Sequence, residues 1–547
     1  MTAWVDHLVI LPVLLPLFGG ALLIPFDEHW RRLKGTATIG FTLGCLIVAV
    51  ALLRLADTPE SGSIPHVFIY RLGNWPAPFG IVLVLDRLSA LMLVLTSVLA
   101  LAALVFSLAR WANAGSYYHS LFLFLIAGLN GAFLTGDLFN LFVFFEVLLA
   151  ASYGLVLHGS GRARVHAGLH YIAVNLVASS LLLLGISLIY GVTGTLNMAD
   201  VAMRVPTISD GDRTLFHAGA ALLGVAFLVK AGMWPLGFWL RATYAAAAPP
   251  VAAIFAIMTK VGIYIVLRLS LLMFGADAGA SAHFGSSWLI AGGMMTVIFG
   301  SIAILASQDL ASLSSYCVLI SSGTLLAVLG IDNGFLSGSA LFYLVSSTLA
   351  LGAFFMLSEL VERGRAAGAD VIAVTMEAYG DEDEEDLDET EVGIPFPATM
   401  AILGLSFLGC ALILAGLPPF SGFIAKFMLL KALLQQPGGA DAGTSIDGVS
   451  WMLVALLLSS GFAAVIAFAR AGIRIFWLPL EATVPRVRLI EIAPIVGLLL
   501  LCGVLTVQAG PVMRFIEATA ESLHAPATYV PAVLGPNWPP PPDGERP

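Results

Sequence analysis

Charge is what this 547-residue chain has least of. Only 11% of its residues are Asp, Glu, Lys or Arg, against 59% that are hydrophobic. A soluble domain carries about 25% charged residues, and surface falls too slowly with size for a soluble fold to hide so much apolar area. Basic residues are the scarcer sign, 25 against 35 acidic, for a net charge of −10 with no basic block. That excludes a nucleic-acid partner. The four cysteines, Cys45, Cys317, Cys410 and Cys502, stand singly in apolar runs. They make neither a disulfide framework nor a thiolate metal or iron–sulfur site, and read as packing residues. No nucleotide-binding glycine fingerprint is present, so neither cofactor nor metal is expected. Strictly alternating segments of about ten residues are missing too, which excludes a transmembrane β-barrel.

What the chain does have is apolar runs of bilayer-spanning length, about 20 residues each. They predict an all-α polytopic membrane protein of about fourteen transmembrane helices, near 8–25, 36–55, 82–107, 118–135, 139–157, 168–190, 215–240, 247–272, 286–306, 313–331, 336–360, 397–433, 450–470 and 491–510. Residues 1–25 carry Asp6 and His7 in place of a basic leader and no small-residue cleavage site, so they read as a retained first span. Short-loop charge orients the bundle. With the N-terminus outside, Arg31, Arg32, Lys34, Arg110, Arg162, Arg164, Arg241, Arg363, Arg365, Arg470, Arg474, Arg486 and Arg488 fall inside, against Arg71, Arg204 and Arg213 outside. Both termini are then expected outside, with the Pro539–Pro542 tail disordered. The acidic block 377–391, EAYGDEDEEDLDETE, reads as a solvated cytoplasmic loop.

Function is expected where ionisable groups lie inside apolar spans, because each costs about 2.5–3.5 kcal/mol at a helix centre. Four do so: Glu146 in DLFNLFVFFEVLLAASYG, Lys230 in GVAFLVKAGMWPLGFWL, Lys260 in AAIFAIMTKVGIYIVL and Lys426 in LPPFSGFIAKFMLL. A structural ion pair or a snorkelling amine is the plainer account of any one. Glu146 is too short and too deep to snorkel, and four such groups at mid-span favour proton handling. Desolvation works against the charged form of either group and a nearby opposite charge restores it. The charge on one partner therefore sets whether the other keeps its proton.

Lys230 is followed by Gly232 and Pro235, and Lys426 is preceded by Gly416, Pro418, Pro419 and Gly422. Proline breaks the helical ladder, and breaks at membrane depth are tolerated only in protein or along a cavity. Paired breaks in two halves of a chain predict inverted repeats with the path near the midplane. The seventh span runs inward and the twelfth outward, as inversion requires. The expected organisation is a three-helix segment 1–110, a first repeat 118–272, a second inverted repeat 286–470 containing the acidic loop, and a last helix with tail, 486–547.

DLFNLFVFFEVLLAASYGLV, KAGMWPLGFWL, TKVGIYIVLR, SQDLASLSSYCVLISSGT and LPPFSGFIAKF together resemble the antiporter-like membrane subunits of respiratory complex I, membrane-bound hydrogenases and Mrp-type cation/proton antiporters. FEVLLAASYGLVLHGSGR and LIYGVTGTLNMADVA resemble most the D-type member of the Mrp assembly. The resemblance implies fourteen helices, two inverted five-helix repeats, broken helices 7 and 12, and a hydrophilic axis along which Glu146, Lys230, Lys260 and Lys426 move protons. It also implies Asp137 near the outer surface before the glutamate, a bacterial inner-membrane location, hetero-oligomeric partner subunits, and H+ with Na+ or K+ as transported ions. Many relatives carry His or Lys in the eleventh span, where this chain has Ser346, Ser347 and Thr348. Their hydroxyls orient bridging waters or simply bond the preceding helical turn. Tyr316 and Ser322 are further auxiliary candidates. The expected function is proton translocation within a Na+(K+)/H+ antiporter, a transporter subunit and not an enzyme. The alternative is a proton-pumping subunit of a complex I-like or hydrogenase redox complex. An intramembrane metalloenzyme is disfavoured: His166 and His170 have helical metal-pair spacing but no third ligand nearby.

Overall fold

A computed structural model describes residues 7–57, 67–115, 117–331, 334–363, 398–435, 448–477 and 487–535. The acidic block 377–391 and the proline tail lie outside the described residues. Helices α1 (Leu11–Leu23) and α2 (Arg31–Asp57) precede a β-hairpin, β1 (Phe68–Arg71) paired antiparallel with β2 (Val82–Leu85). Then come α3 (Arg87–Leu108), α4 (Tyr118–Leu134), α5 (Leu138–Leu157), α6 (Arg162–Thr193) and the short α7 (Met198–Arg204). The seventh span is split into α8 (Asp210–Ala231) and α9 (Phe238–Ala246). It is followed by α10 (Pro249–Met273), α11 (Ser286–Ala306), α12 (Leu310–Leu329) and α13 (Gly334–Glu362). The twelfth span is likewise split, into α14 (Ala398–Ala415) and α15 (Ser421–Leu434). The chain continues with α16 (Gly448–Gly472), α17 (Leu489–Val507), α18 (Ala509–Leu523) and α19 (Pro526–Leu534).

Twelve helices among the described residues are long and apolar enough to span a membrane; the shorter α1 and α4 occupy the first and fourth expected positions. The fold is therefore the all-α polytopic one that hydropathy predicts. Two boundaries differ in an instructive way. Val82–Leu85, expected as the start of the third span, forms β2, and the helix begins only after Asp86. The Asp86 carboxylate accepts from Ser89 N at 2.8 Å while Ser89 Oγ accepts from Asp86 N at 2.9 Å, a capping box that fixes the helix start. Beyond the last span, α18 buries Met513, Ile516, Thr519, Ala520 and Leu523, an amphipathic stripe at helical spacing.

Both breaks use the same device. Leu228 O accepts from Met233 N at 3.0 Å and Leu412 O from Leu417 N at 2.8 Å, the six-to-one bond of a Schellman cap. Each cap turns through a glycine at positive φ, Gly232 at 76° and Gly416 at 81°, a conformation open to glycine without penalty. The second halves then restart close to the first. A Cβ on Gly422 would sit 1.9 Å from Ile413 O.

Helices α10, α12 and α13 are almost wholly buried and form the centre, while α2, α6, α11, α14, α16 and α17 keep exposed apolar faces. The hairpin, the α4–α5 link and the start of α7 close one end. Gly136 N donates to Val82 O at 3.0 Å and Met198 N to Gly136 O at 2.9 Å; this end is the hairpin face. At the opposite face, Glu359 accepts from Trp111 Nε1 at 2.7 Å, and Arg363 bridges Glu359 at 2.8 Å and Glu491 at 2.9 Å. The arginine-rich connections thus gather at one end of the bundle.

Gly422→Ala tests the second break. The Ile413 carbonyl has nowhere to go, so membrane-inserted, assembled protein is expected to fall sharply on immunoblots. Gly497→Ala, with open space around its Cβ, is expected to leave the yield unchanged.

Candidate functional site

Glu146 lies on α5 and Lys230 in the last turn of α8. Lys230 is buried, and its Nζ sits 4.9 Å from the centroid of the Phe145 ring, a cation–π contact. Neither Lys230 Nζ nor Glu146 Oε1 has a hydrogen-bond partner among the described residues, although both are buried atoms. A buried unpaired polar group costs about 1–3 kcal/mol, and more if charged. No direct hydrogen bond or ion pair joins the carboxylate to the amine among the described residues, and Lys230 lies against the ring of the residue next to Glu146. Gly262 lets α10 approach α8 closely, since a Cβ there would meet Ala231 N at 2.9 Å and Phe227 O at 3.0 Å. That approach brings the helix of Lys260 against the turn that carries Lys230.

Lys260 is fully buried, and its Nζ donates to Ser321 Oγ at 2.7 Å. Ser321 Oγ in turn shares a hydrogen bond with Ser347 Oγ at 3.0 Å. The neighbouring Ser346 shares one with Ser421 Oγ, 2.8 Å away, at the first residue of α15. Hydroxyls donate and accept at once, so each pair passes a hydrogen bond between helices. Lys426, half-buried on α15, donates from Nζ to Ala415 O at 2.9 Å. It thus caps the α14 terminus left open by the break, where the helix dipole favours a cation. A cavity lined by Ser321, Ser346, Ser347, Cys317, Ser460 and Lys426 joins the serines to this amine. It offers about 20 Å³ for water centres, above the roughly 10–15 Å³ that one water needs.

The auxiliary candidates separate cleanly. Ser346 and Ser347 join the line. Thr348 donates to Leu344 O at 2.6 Å, a bond to its own helix. Ser322 is buried with no hydrogen-bond partner among the described residues, and Tyr316 packs edge-on to Phe299 at 6.5 Å. Asp137 caps α5, accepting from Asn140 N at 2.9 Å. Burial pushes its carboxyl above the ordinary carboxylate value, against the backbone amides of Asn140 and Phe139 that pull it down. It stands about 13 Å along the helix from Glu146 at 1.5 Å per residue, so the two are not brought together.

Sequence reasoning passes over Ser321 and Ser421, and also a buried ion pair between Arg268 on α10 and Asp86. Arg268 in TKVGIYIVLRLSLL satisfies the same rule that picks out the lysines. The serines carry no such signal, because a hydroxyl in a span most often bonds its own turn.

The fold is that of a polytopic membrane protein with two interrupted helices, and the polar line runs between α10, α12, α13 and α15. The family described as NADH:quinone oxidoreductase/Mrp antiporter, transmembrane, matches residues 135–440. The D component of a probable K+/H+ antiporter of Rhizobium meliloti is 61% identical over 534 residues, 98% of each chain. The D component of the Na+/H+ antiporter of Alkalihalophilus pseudofirmus is 32% identical over 97% of this chain and 99% of its own. Among solved structures, a chain of the Mrp complex from Dietzia sp. superposes with a TM-score of 0.81 at 27% identity, covering 98% of this chain and all of that one. The chain belongs to the membrane-subunit family shared by NADH:quinone oxidoreductases and Mrp antiporters, and within it to the D-type components of cation/proton antiporters.

The serine links give a graded expectation. Loss of one hydrogen bond worth about 1 kcal/mol slows a relay about fivefold. Ser347→Ala and Ser421→Ala in the assembled complex should therefore slow cation-driven proton flux by that order, while Thr348→Ala leaves it near the parental rate.

Proposed function

We propose that this chain is the proton-conducting subunit of a hetero-oligomeric K+(Na+)/H+ antiporter of a bacterial inner membrane, in which inward proton flow drives cation export. Glu146 sets the charge state of Lys230. Lys230 and Lys260 pass the proton sideways near mid-membrane, and Lys426 exchanges it with the far aqueous side. The observation that carries this reading is the near-continuous line Lys260–Ser321–Ser347, Ser346–Ser421, cavity, Lys426, in the most buried part of the bundle. It supplies hydroxyls and room for water in the place where the charged span residue of many relatives is absent.

Aqueous access to Lys260 is from the arginine-rich face, the side to which inward flow delivers the proton. A cleft with about 290 Å³ of room for water centres is lined there by Arg110, Trp111, Tyr244, Glu359, Glu362 and Arg363. From its floor, Tyr244 donates to Phe255 O at 2.6 Å, about one helical turn from Thr259 and Lys260. In the proposed orientation this face is cytoplasmic and both termini are outside. The two interrupted helices then belong to inverted repeats, 118–272 and 286–470. Potassium is favoured as the exported ion, because the 61% identical relative belongs to a probable K+/H+ antiporter. Companion subunits are expected because the Dietzia relative was solved as part of a Mrp complex.

Two substitutions separate proton transfer from mere charge compensation. Arginine cannot release its proton in a protein, so Lys260→Arg keeps the positive charge and removes the relay. Everted vesicles carrying the assembled complex with Lys260→Arg, Glu146→Ala or Lys230→Ala are expected to lose K+- and Na+-driven proton exchange, read with a pH-sensitive dye. Full exchange in any of the three overturns the reading. The chain expressed alone is expected to be inactive in the same assay, and co-expression with its companion subunits to restore exchange.

A further inference from the structure

We propose that Asp86 is a second proton-exchange group, serving Lys260 from the hairpin face through a branch that is closed by a dry constriction in this conformation. The inference rests on Lys260 carrying protons as proposed above. Helix α10 bears Lys260, Tyr264 and Arg268 at successive four-residue steps, which puts them on one face, and all three are buried. Arg268 grips the Asp86 carboxylate with both terminal nitrogens, Nη2 to Oδ1 at 3.0 Å. Nη2 also donates to the Tyr264 hydroxyl at 2.9 Å, and that hydroxyl donates to Phe133 O at 2.6 Å.

A buried ion pair is poor evidence of stabilisation, since well-packed apolar residues of similar volume often do as well. Here the pair borders water space. A cavity lined by Asp86, Arg268, Ser522, Thr528 and Tyr529 lies beneath the α18–α19 turn. It offers about 30 Å³ for water centres, enough for at least one molecule and with several polar partners to hold it.

Between this polar pocket and Lys260 lies a smaller cavity bounded by Tyr264, Met92, Ile263, Leu325 and Leu344. Its room for water centres is about 10 Å³ and its lining is apolar. A space of that size and chemistry stays dry, and dewetted apolar constrictions are a known way to gate ion paths. It abuts the serine line directly: Leu325 is one turn beyond Ser321, and Leu344 O accepts from Ser347 Oγ at 3.3 Å.

When the constriction wets, a proton leaves Lys260 Nζ for the first water of the file and another passes from the last water to an Asp86 carboxylate oxygen. Lys260 becomes neutral and Asp86 becomes the neutral acid. Arg268 stays protonated, its guanidinium 5.3 Å from the Tyr264 ring and 5.6 Å from the Tyr529 ring, so cation–π contacts remain to it when the carboxylate loses its charge. Asp86 then gives the proton to water in the outer cavity and re-forms its pair. Lys260 is recharged along the lateral path, and the inward flow proposed above runs the same steps in reverse.

The test uses the assembled complex in proteoliposomes, with passive proton leak measured under an imposed pH gradient and no cation gradient. Leu325→Ser and Leu344→Ser each place a hydroxyl in the constriction and are expected to raise the leak several-fold. Adding Asp86→Asn, which keeps the Oδ1 acceptor for Ser89 N, is expected to return it to the parental level; Leu325→Met, which refills the space, is expected not to leak. The proposal is overturned if neither serine variant leaks in complexes of normal yield, or if the leak persists with Asp86→Asn. Because the leak is read without cation exchange, and Lys260→Arg exchange is read with the constriction intact, failure of the branch and failure of the lateral pathway give different results.

Discussion

Four ionisable groups in apolar spans together cost about 10–14 kcal/mol to insert, at roughly 2.5–3.5 kcal/mol each, which rivals the whole folding stability of about 5–15 kcal/mol of an ordinary domain. Everything distinctive about the bundle answers that cost without cancelling it. Lys260 meets a hydroxyl, Lys426 meets a carbonyl at a helix end, and Lys230 meets an aromatic face. None of the three is given a carboxylate at salt-bridge distance among the described residues. A protein built only to hide these charges would give each a carboxylate at contact distance. Partial satisfaction keeps an amine inside the membrane and leaves its proton negotiable.

The interrupted helices are the other half of the arrangement. An unbroken α14 would direct its last carbonyls into hydrogen bonds with the next turn. The break at Gly416 frees Ala415 O, and the chain returns ten residues after the break with the lysine that binds it. In α8 the lysine comes before the break, two residues ahead of Gly232, and Val229 O is taken by Trp239 Nε1 at 3.1 Å. The caps match while the amines do not. The two lysines therefore meet different electrostatic surroundings, one against an aromatic ring and one at a helix terminus. In the proposed pathway, such asymmetry is what would give transfer between groups of the same chemical type a direction.

Much of this is legible in the amino-acid order, and the reasons are physical. Apolar runs of bilayer length and Gly–Pro clusters are one-dimensional signals, so the spans and both breaks can be read directly. A charge inside such a run is equally visible, which is why Glu146, Lys230, Lys260 and Lys426 stand out. Val82–Leu85 reads wrongly as helix because a short buried strand and the start of a buried helix share the same apolar pattern. Ser321 and Ser421 stay hidden for a different reason. Their partners are 26 and 75 residues away, and only the packing of α12, α13 and α15 turns a helix-bonding hydroxyl into a bridge between helices. Arg268 carries the same signal as the lysines, a charge inside an apolar run, and what only the folded chain shows is its partner, Asp86.

The central claim is that mid-membrane amines communicate through hydroxyls and water and not through lipid or direct ion pairs. The most direct measurement is a density map of the assembled complex at a resolution that shows ordered water. The account predicts water in the cavity bounded by Ser346, Ser347 and Lys426, within hydrogen-bond distance of Lys426 Nζ and of a serine hydroxyl. A dry cavity, with Lys426 turned outward to acyl chains and Lys260 separated from Ser321, would contradict it.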